Sequence, residues 1–330
     1  MFYNLNIMKN IFLLLLLAAF SVTTIAQPAA TIRISGTRFT FPVFKKWINE
    51  YRAFHPEVNI VVSSSIPADS IDIFIASHIL KPGDIKKGQT SIAIARYVQV
   101  PIVNNERKNL KSLCEKGLTD AAFRQIYFTD KPSSTNNFNS PFTVYKRQKA
   151  ACSSVSFANH FGSEHKDIKG IGVPGDDQDL LESVKKDTNA ISYNSLGIIY
   201  NIRTRKINDS IAIIPIDLNE NGKVDANEKI YETVDDVMAF VEKTNHPKIP
   251  VENVNVIFSK TINRKAVTDF LEWVITKGQQ FNHEYGLLYL PAATAQEQQK
   301  LLTALSTALK SCTPSFAKLK NRTTNRTNKN

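Results

Sequence analysis

TIRISGTRFTFPVFKKWINEYRAFHP, residues 31–56, decides the fold. From Thr31 to Ser35, apolar and polar side chains alternate with the period of a half-buried strand. After a turn, Phe41, Phe44, Trp47, Ile48, Tyr51 and Phe54 recur at helical spacing. His55-Pro56 closes that helix, because proline disfavours helical geometry at the residue before it. Short apolar strands follow at Val58–Ser63, Ile71–Ala76 and Ser91–Ala95, with a further extended run at Val98–Asn104. Such strands alternating with amphipathic helices predict βαβ units and a largely parallel sheet.

Further along, Lys131–Pro141 reads as a loop and Gly170–Gly175 as a turn-rich segment. Ser153–Phe161 and Asp179–Lys186 read as helices; Ala190–Tyr193, Ile211–Ile216 and Asn253–Phe258 read as strands. The strongest helix pattern is Arg264–Phe281, with Val267, Phe270, Leu271, Val274 and Ile275 on one face and Gly278 inside its last turn. There is no internal repeat. The layout predicts an α/β protein of two lobes that bury a ligand in the cleft between them and close by hinge motion.

The chain has 330 residues, 42% hydrophobic and 22% charged, which excludes disordered, collagen-like and disulfide-scaffold classes. Residues 1–26 read as a secretory signal peptide: Lys9, then the apolar run Ile11–Phe20, then Thr24-Ile25-Ala26 with small residues before the cleavage. No Cys follows, so the expectation is a soluble periplasmic protein beginning at Gln27, without a lipid anchor. Net charge is +11, but residues 313–330 carry Lys318, Lys320, Arg322, Arg326 and Lys329 and no acid. This tail is read as solvated and disordered, the body as mildly basic, and nucleic acid as no partner. Cys114, Cys152 and Cys312 are widely spaced and give neither a metal signature nor a disulfide framework.

Three places carry a resemblance. Ser35–Trp47 (SGTRFTFPVFKKW) resembles the opening strand–turn–helix of periplasmic phosphate-binding proteins, the solute-binding components of ATP-driven (ABC) phosphate importers. Val144–Phe157 (VYKRQKAACSSVSF) is similar to that family's Arg-x-x-x-Ser-Gly-Thr segment. Ala266–Pro291 is similar to its late helix and Gly-x-x-x-Leu-Pro ending. The three come in family order and span nearly the whole chain after residue 26. The resemblance implies a two-lobed fold of the periplasmic-binding-protein type. Each lobe would be a mainly parallel sheet flanked by helices, joined by a hinge of two crossover strands. The expected division is 27–96 with 257–312 in the first lobe and 97–256 in the second, with crossings near Val98–Pro101 and Val254–Phe258. It also implies a monomer that captures phosphate or a related oxyanion and docks on a membrane permease, without making or breaking a bond.

The same resemblance supplies candidate ligand residues. Phe39 matches a backbone N–H donor, Arg147 the anion-pairing arginine and Ser153 a threonine hydroxyl. Arg38 stands where the family has a threonine, Ala151 for a ligand serine, Cys152 for a glycine and Ser77 for a carboxylate. The glycine-rich turn after Val62–Ser65 is shortened, leaving Ser64 or Ser65 as candidates. A carboxylate accepts the proton of hydrogen phosphate, whereas a serine donates or accepts, so a relaxed choice between phosphate and sulfate-like ions is expected. For Arg147 the competing reading is a structural ion pair. For the whole cleft it is a scaffold or adhesion protein that keeps the fold without the anion.

Asp217–Glu228 (DLNENGKVDANE) matches the calcium-loop pattern D-x-[DN]-x-[DN]-G-x5-E at every required position. Asp217, Asn219, Asn221, Asp225 and Glu228 would supply side-chain oxygens, Lys223 its backbone carbonyl, and Gly222 the sharp turn. A strand precedes the loop, so an isolated structural calcium site is expected, leading into a helix around Asp235–Glu242. Three carboxylates and two amides suggest affinity on the order of 10⁻⁴–10⁻³ M. The competing reading is a metal-free turn. No enzyme motif appears: no H-E-x-x-H, no G-x-S-x-G and no P-loop. Cys152 near Arg147 could be an activated thiolate, but no His near it is indicated, so an inert Cys is favoured. A hydrolase is the remaining alternative.

Overall fold

The computed structural model describes residues 30–129, 141–261 and 264–310. The signal-peptide reading (1–26), nearly all of the 131–141 loop, Cys312 and the 313–330 tail lie outside them. Among the described residues no helix is long and apolar enough to cross a membrane.

Strand β1 (Ala30–Gly36) leads through a 3-10 turn (Arg38–Thr40) into α1 (Phe41–Arg52). Pro42 sits in the first turn of α1, where a missing N–H costs nothing. Val43, Phe44, Trp47, Ile48 and Tyr51 form its buried face. Then come β2 (Val58–Val62), β3 (Ile73–Ala76) and β4 (Gln89–Asn104). The helices α2 (Leu110–Lys116) and α3 (Asp120–Phe128) precede β5 (Thr143–Arg147), α4 (Cys152–His160), β6 (Ile171–Val173) and α5 (Asp177–Lys186). The chain continues with β7 (Ala190–Ser195), α6 (Leu196–Ile199), β8 (Ile211–Ile213), α7 (Val234–Thr244) and β9 (Val251–Ser259). Last are α8 (Arg264–Ile275), β10 (Leu287–Leu288) and α9 (Ala292–Lys310).

The strand order is β2-β1-β3-β9-β4-β7-β5-β6, with β8 and β10 also on β4. Two expectations are corrected here. The runs Ser91–Ala95 and Val98–Asn104 are one sixteen-residue strand, about 50 Å long at the usual rise. Its first part pairs with β9, from Gln89 opposite Ser259 to Val98 opposite Val251. Its second part pairs with β7, from Gln99 opposite Ser195 to Val103 opposite Ile191. The sheet is also mixed: β1–β3, β5–β6 and β5–β7 are parallel, but every pairing made by β4 and β9 is antiparallel.

The side chains form two separate cores. One holds Ile32 to Tyr97 and Val254 to Leu302; the other holds Val98 to Ile249 and Leu288. Aromatic rings anchor both. Tyr51 meets Phe270 edge-on at 5.2 Å, and Phe157 stacks on Tyr193 at 4.0 Å. Such pairs contribute about 0.5–1.5 kcal/mol beyond area burial. The helix expected over 264–281 ends at Ile275, and Gly278 opens a 3-10 turn. Trp47 Nε1 donates to the Gly278 carbonyl at 2.9 Å, and a Cβ on Gly278 would sit 3.3 Å from the Trp47 ring. The indole thus bonds the chain just past the helix end, at a residue with little room for a side chain.

Gly36 fixes the start of the first turn. Its φ is +128°, and a Cβ there would lie 2.3 Å from the Ile75 carbonyl oxygen. Because the clash is with the backbone of β3, a side-chain move cannot relieve it. Gly36→Ala is expected to cost on the order of 3 kcal/mol, read as a lowered urea midpoint with an unchanged slope.

Candidate functional site

Both halves send residues to one place. From the first core, Arg38 Nη2 donates to the Gly175 carbonyl at 3.1 Å, and Arg38 Nη1 lies 3.5 Å from Asp176 Oδ2. Phe39 packs its ring 4.8 Å from that of buried Tyr97. From the second core, Arg147 ends β5 and is 8% exposed. Its Nη2 donates to the same Gly175 carbonyl, so two guanidinium groups converge on one oxygen. Arg147 Nε and Nη1 are buried and make no hydrogen bond among the described residues.

Asp177, the first residue of α5, completes the group. Ser153 Oγ donates to Asp177 Oδ1 at 2.8 Å, and Arg147 Nε lies 3.8 Å from the same oxygen. Burial raises the Asp177 carboxyl above its ordinary range, against the opposing pull of Ser153 and Arg147. The helix start holds it there: Asp176 caps α5, accepting from Gln178 N–H at 2.9 Å, and Asn194 Nδ2 donates to the Asp177 carbonyl at 2.7 Å. A cavity of about 180 Å³ lies alongside, lined by Arg38, Phe39 and Pro42 from one core and by Asp176, Asp177, Gln178, Gly197, Ile198 and Ile202 from the other, with Tyr285.

Of the sequence-predicted ligand residues, Arg38, Arg147 and Ser153 are thus linked through Gly175 and Asp177, and Phe39 shares the cavity with Arg38 and Asp177. Ser77 is fully buried; its carbonyl accepts from Tyr97 Oη at 2.7 Å and from Ser156 Oγ at 2.9 Å, while its own Oγ has no partner among the described residues. Ser64 is exposed in the turn after β2, and among the described residues no hydrogen bond joins it to this group. Ser65 N–H donates to Ser63 Oγ instead, closing that turn on itself.

Sequence reasoning missed Asp177 and His78. The spacing of Asp176 and Asp179, a capping box, marks the α5 start two residues earlier than the apolar pattern does. His78 contradicts the reading that no histidine stands near Cys152: its Nδ1 lies 3.1 Å from Cys152 Sγ. No local pattern signals a contact across 74 positions.

The 217–228 loop is tightly wound. Buried Asp217 accepts from Asn221 N–H at 3.3 Å and Gly222 N–H at 2.8 Å. Buried Glu228 accepts from Leu218, Asn219 and Asp225 N–H groups. Asp225 accepts from the Asn219 and Asn221 amides and pairs with Lys223 Nζ at 3.2 Å. Gly222 takes φ +85°, as the turn requires. Val224 N–H donates to the Glu115 carbonyl, tying the loop to α2. Among the described residues no group of three or more His, Cys, Asp and Glu side chains stands arranged to hold a metal ion. The oxygens are of the right type, but in this arrangement the amides and Lys223 satisfy the acids.

No protein-family model matches the sequence, and no curated protein matches it. Solved structures do match. An ABC-type phosphate transport receptor from Vibrio cholerae is 16% identical, covering 79% of this chain and 100% of that one, with a TM-score of 0.54. A structure assigned as a phosphate ABC transporter substrate-binding protein, with bound phosphate, from Clostridium perfringens is 17% identical over 79% and 100%, with a TM-score of 0.59. A possible phosphate-binding protein from Planctomyces limnophilus is 15% identical over 84% and 99%, with a TM-score of 0.51. The chain therefore shares the α/β fold of these solved structures, with its side chains gathered in two cores.

Proposed function

We propose that this chain is an exported solute-binding protein that captures phosphate or a related tetrahedral oxyanion and delivers it to an ABC-type permease. The observation that carries the reading is Arg147, buried with Nε and Nη1 unbonded beside the Ser153 hydroxyl and across from Arg38. A guanidinium in that state stabilises an anion, since charge-assisted forks are the strong hydrogen bonds. Each bond to a charged group is worth about 1.5–3 kcal/mol and micromolar binding needs about 8 kcal/mol, so Arg147, Arg38 and the Phe39 N–H suffice; Ser153, whose one proton lies on Asp177, joins them only by turning away from that carboxylate. The strand pair β4 and β9, which runs between the two cores, is the hinge of this reading. The protein acts as a monomer in the periplasm and performs no chemistry on its cargo.

Calorimetry with inorganic phosphate and with sulfate tests it. Saturable heat with phosphate is expected; no heat from any tetrahedral oxyanion overturns the reading. That second outcome would favour a scaffold that keeps the fold alone, a reading with one observation behind it: the Asp177 carboxylate already lies on Ser153 and beside Arg147.

The 217–228 loop is proposed as a structural calcium site using Asp217, Asn219, Asn221, the Lys223 carbonyl, Asp225 and Glu228. Binding requires the Asn219 and Asn221 amides to turn their oxygens inward and Lys223 to leave Asp225. Calcium at about ten times its dissociation constant would add roughly 1.4 kcal/mol. The melting temperature is expected to rise by a few degrees in millimolar calcium and not in Asp217→Ala. A melt that ignores calcium would dismiss the site.

A further inference from the structure

Cys152 and His78 form a pair that the anion reading does not use. Cys152 opens the nine-residue helix α4 and is partly exposed. Its Sγ lies 3.1 Å from His78 Nδ1 and 3.1 Å from Thr37 Oγ1. His78 Nε2 faces Asp84 Oδ2 at 3.7 Å, and Asn255 Nδ2 holds the His78 carbonyl at 3.0 Å. Thr37 is itself positioned by the Ser77 N–H, which donates to its hydroxyl at 3.3 Å. Two segments therefore meet the sulfur at the start of α4, the turn after β1 through Thr37 and the turn after β3 through His78, with Asp84 behind the imidazole.

The order sulfur–imidazole–carboxylate is the arrangement that activates a thiol. The imidazole takes the proton, the carboxylate stabilises the resulting cation, and the helix N-terminus and the Thr37 hydroxyl stabilise the thiolate. The titration directions agree. Burial alone would raise the Cys152 thiol, but His78, Thr37 and the Ser77 N–H bring it below the ordinary thiol value. His78 moves up, first through Cys152, against burial, and then through Asp84 and Glu252. The other ionisable group facing the sulfur is buried Tyr97, whose hydroxyl burial holds neutral. Among the described residues Cys114 has no such partner, and burial pushes its thiol up.

We propose that Cys152 is a nucleophilic thiolate, paired with His78 and backed by Asp84, that undergoes exchange with low-molecular-weight disulfides. The Cys152 sulfur attacks one sulfur of the reagent, and a new S–S bond forms as the old one breaks. The electron pair leaves on the departing thiolate, which takes the imidazolium proton of His78. Cys152 is oxidised to a mixed disulfide, and the second half of the reagent is reduced. The product lacks the hydrogen bonds from Thr37 and His78 that join the two halves of the chain at this sulfur.

The test uses the full chain carrying Cys114→Ser and Cys312→Ser, with dithionitrobenzoate as the disulfide and iodoacetamide as a neutral probe. The folded protein is expected to react at about pH 6 at least ten-fold faster than the same chain in urea, since its thiolate persists below the ordinary thiol range. His78→Asn is expected to remove that advantage and return the pH–rate profile to near 8.5. Mass spectrometry should find one thionitrobenzoate on Cys152. A folded-state profile that titrates with the urea-unfolded chain overturns the proposal even if no variant folds. So does a His78→Asn protein that folds and reacts at the unaltered rate.

Discussion

Arg147→Ala is expected to abolish phosphate binding measurable by calorimetry, weakening it by about 10²–10⁴-fold. The figure follows from two lost charge-assisted hydrogen bonds of about 1.5–3 kcal/mol each. Arg147→Lys keeps the charge but has no planar fork, and is expected to recover only part of the affinity. Stability should respond in the same variants. The side chains of Arg147 and Asp177 are 9% and 14% exposed, and removing one partner of a buried pair commonly costs about 3–5 kcal/mol. Asp177 relieves part of that cost by taking up a proton, because burial already raises its carboxyl. The Arg147→Ala protein should therefore be least stable relative to the parent near neutral pH and recover in mild acid. Unchanged phosphate affinity in a folded Arg147→Ala protein would remove Arg147 from the site.

The elements that were legible in the sequence are those whose signal is local. The helix face from Val43 to Tyr51 and the strand ahead of it follow directly from spacing, because burial against one core imposes the 3.6 and 2.0 periods. Strand direction was not legible. Apolar runs such as Ile92–Ala95 and Val98–Val103 read the same whether their neighbours run parallel or antiparallel, and only the β9 and β7 registers make them one strand. The turn just past the helix end at Ile275 is bonded by Trp47, more than two hundred positions away. The site divides in the same way. Arg147 and Ser153 are close in sequence and carry a motif, so they could be singled out. Their partner Asp177 and the Cys152 partner His78 come from other elements, and nothing near either residue in the chain announces the contact.

Asp177 also changes what the site should select. With Ser77 in place of a carboxylate, the sequence predicts a weak preference between phosphate and sulfate. The structure supplies a carboxylate from the second core, hydrogen-bonded to Ser153 and lining the cavity with Arg38 and Phe39. An ionised carboxylate only accepts hydrogen bonds. Hydrogen phosphate can donate to it; sulfate at neutral pH has no proton and meets only repulsion. Both anions carry the same charge and feel the same repulsion, so the discrimination comes from the one hydrogen bond that only phosphate can donate, worth about 1.5–3 kcal/mol to a charged acceptor, or about 10–10²-fold. Asp177→Asn replaces the acceptor with an amide that can donate. Sulfate affinity is expected to rise by about 10²-fold, whereas phosphate loses an acceptor and a repulsion together and changes far less. The pH dependence of stability provides a second readout. A carboxyl raised in the folded state contributes stability that is present below its unfolded pKa, near 3.9, and is lost as pH rises through the folded value. Asp177→Asn removes that loss, so the urea midpoint of the variant should gain on the parent as pH climbs from about 4 towards neutrality. Calorimetry in which both anions bind the Asp177→Asn protein as they bind the parent would show that this carboxylate takes no part in choosing the guest.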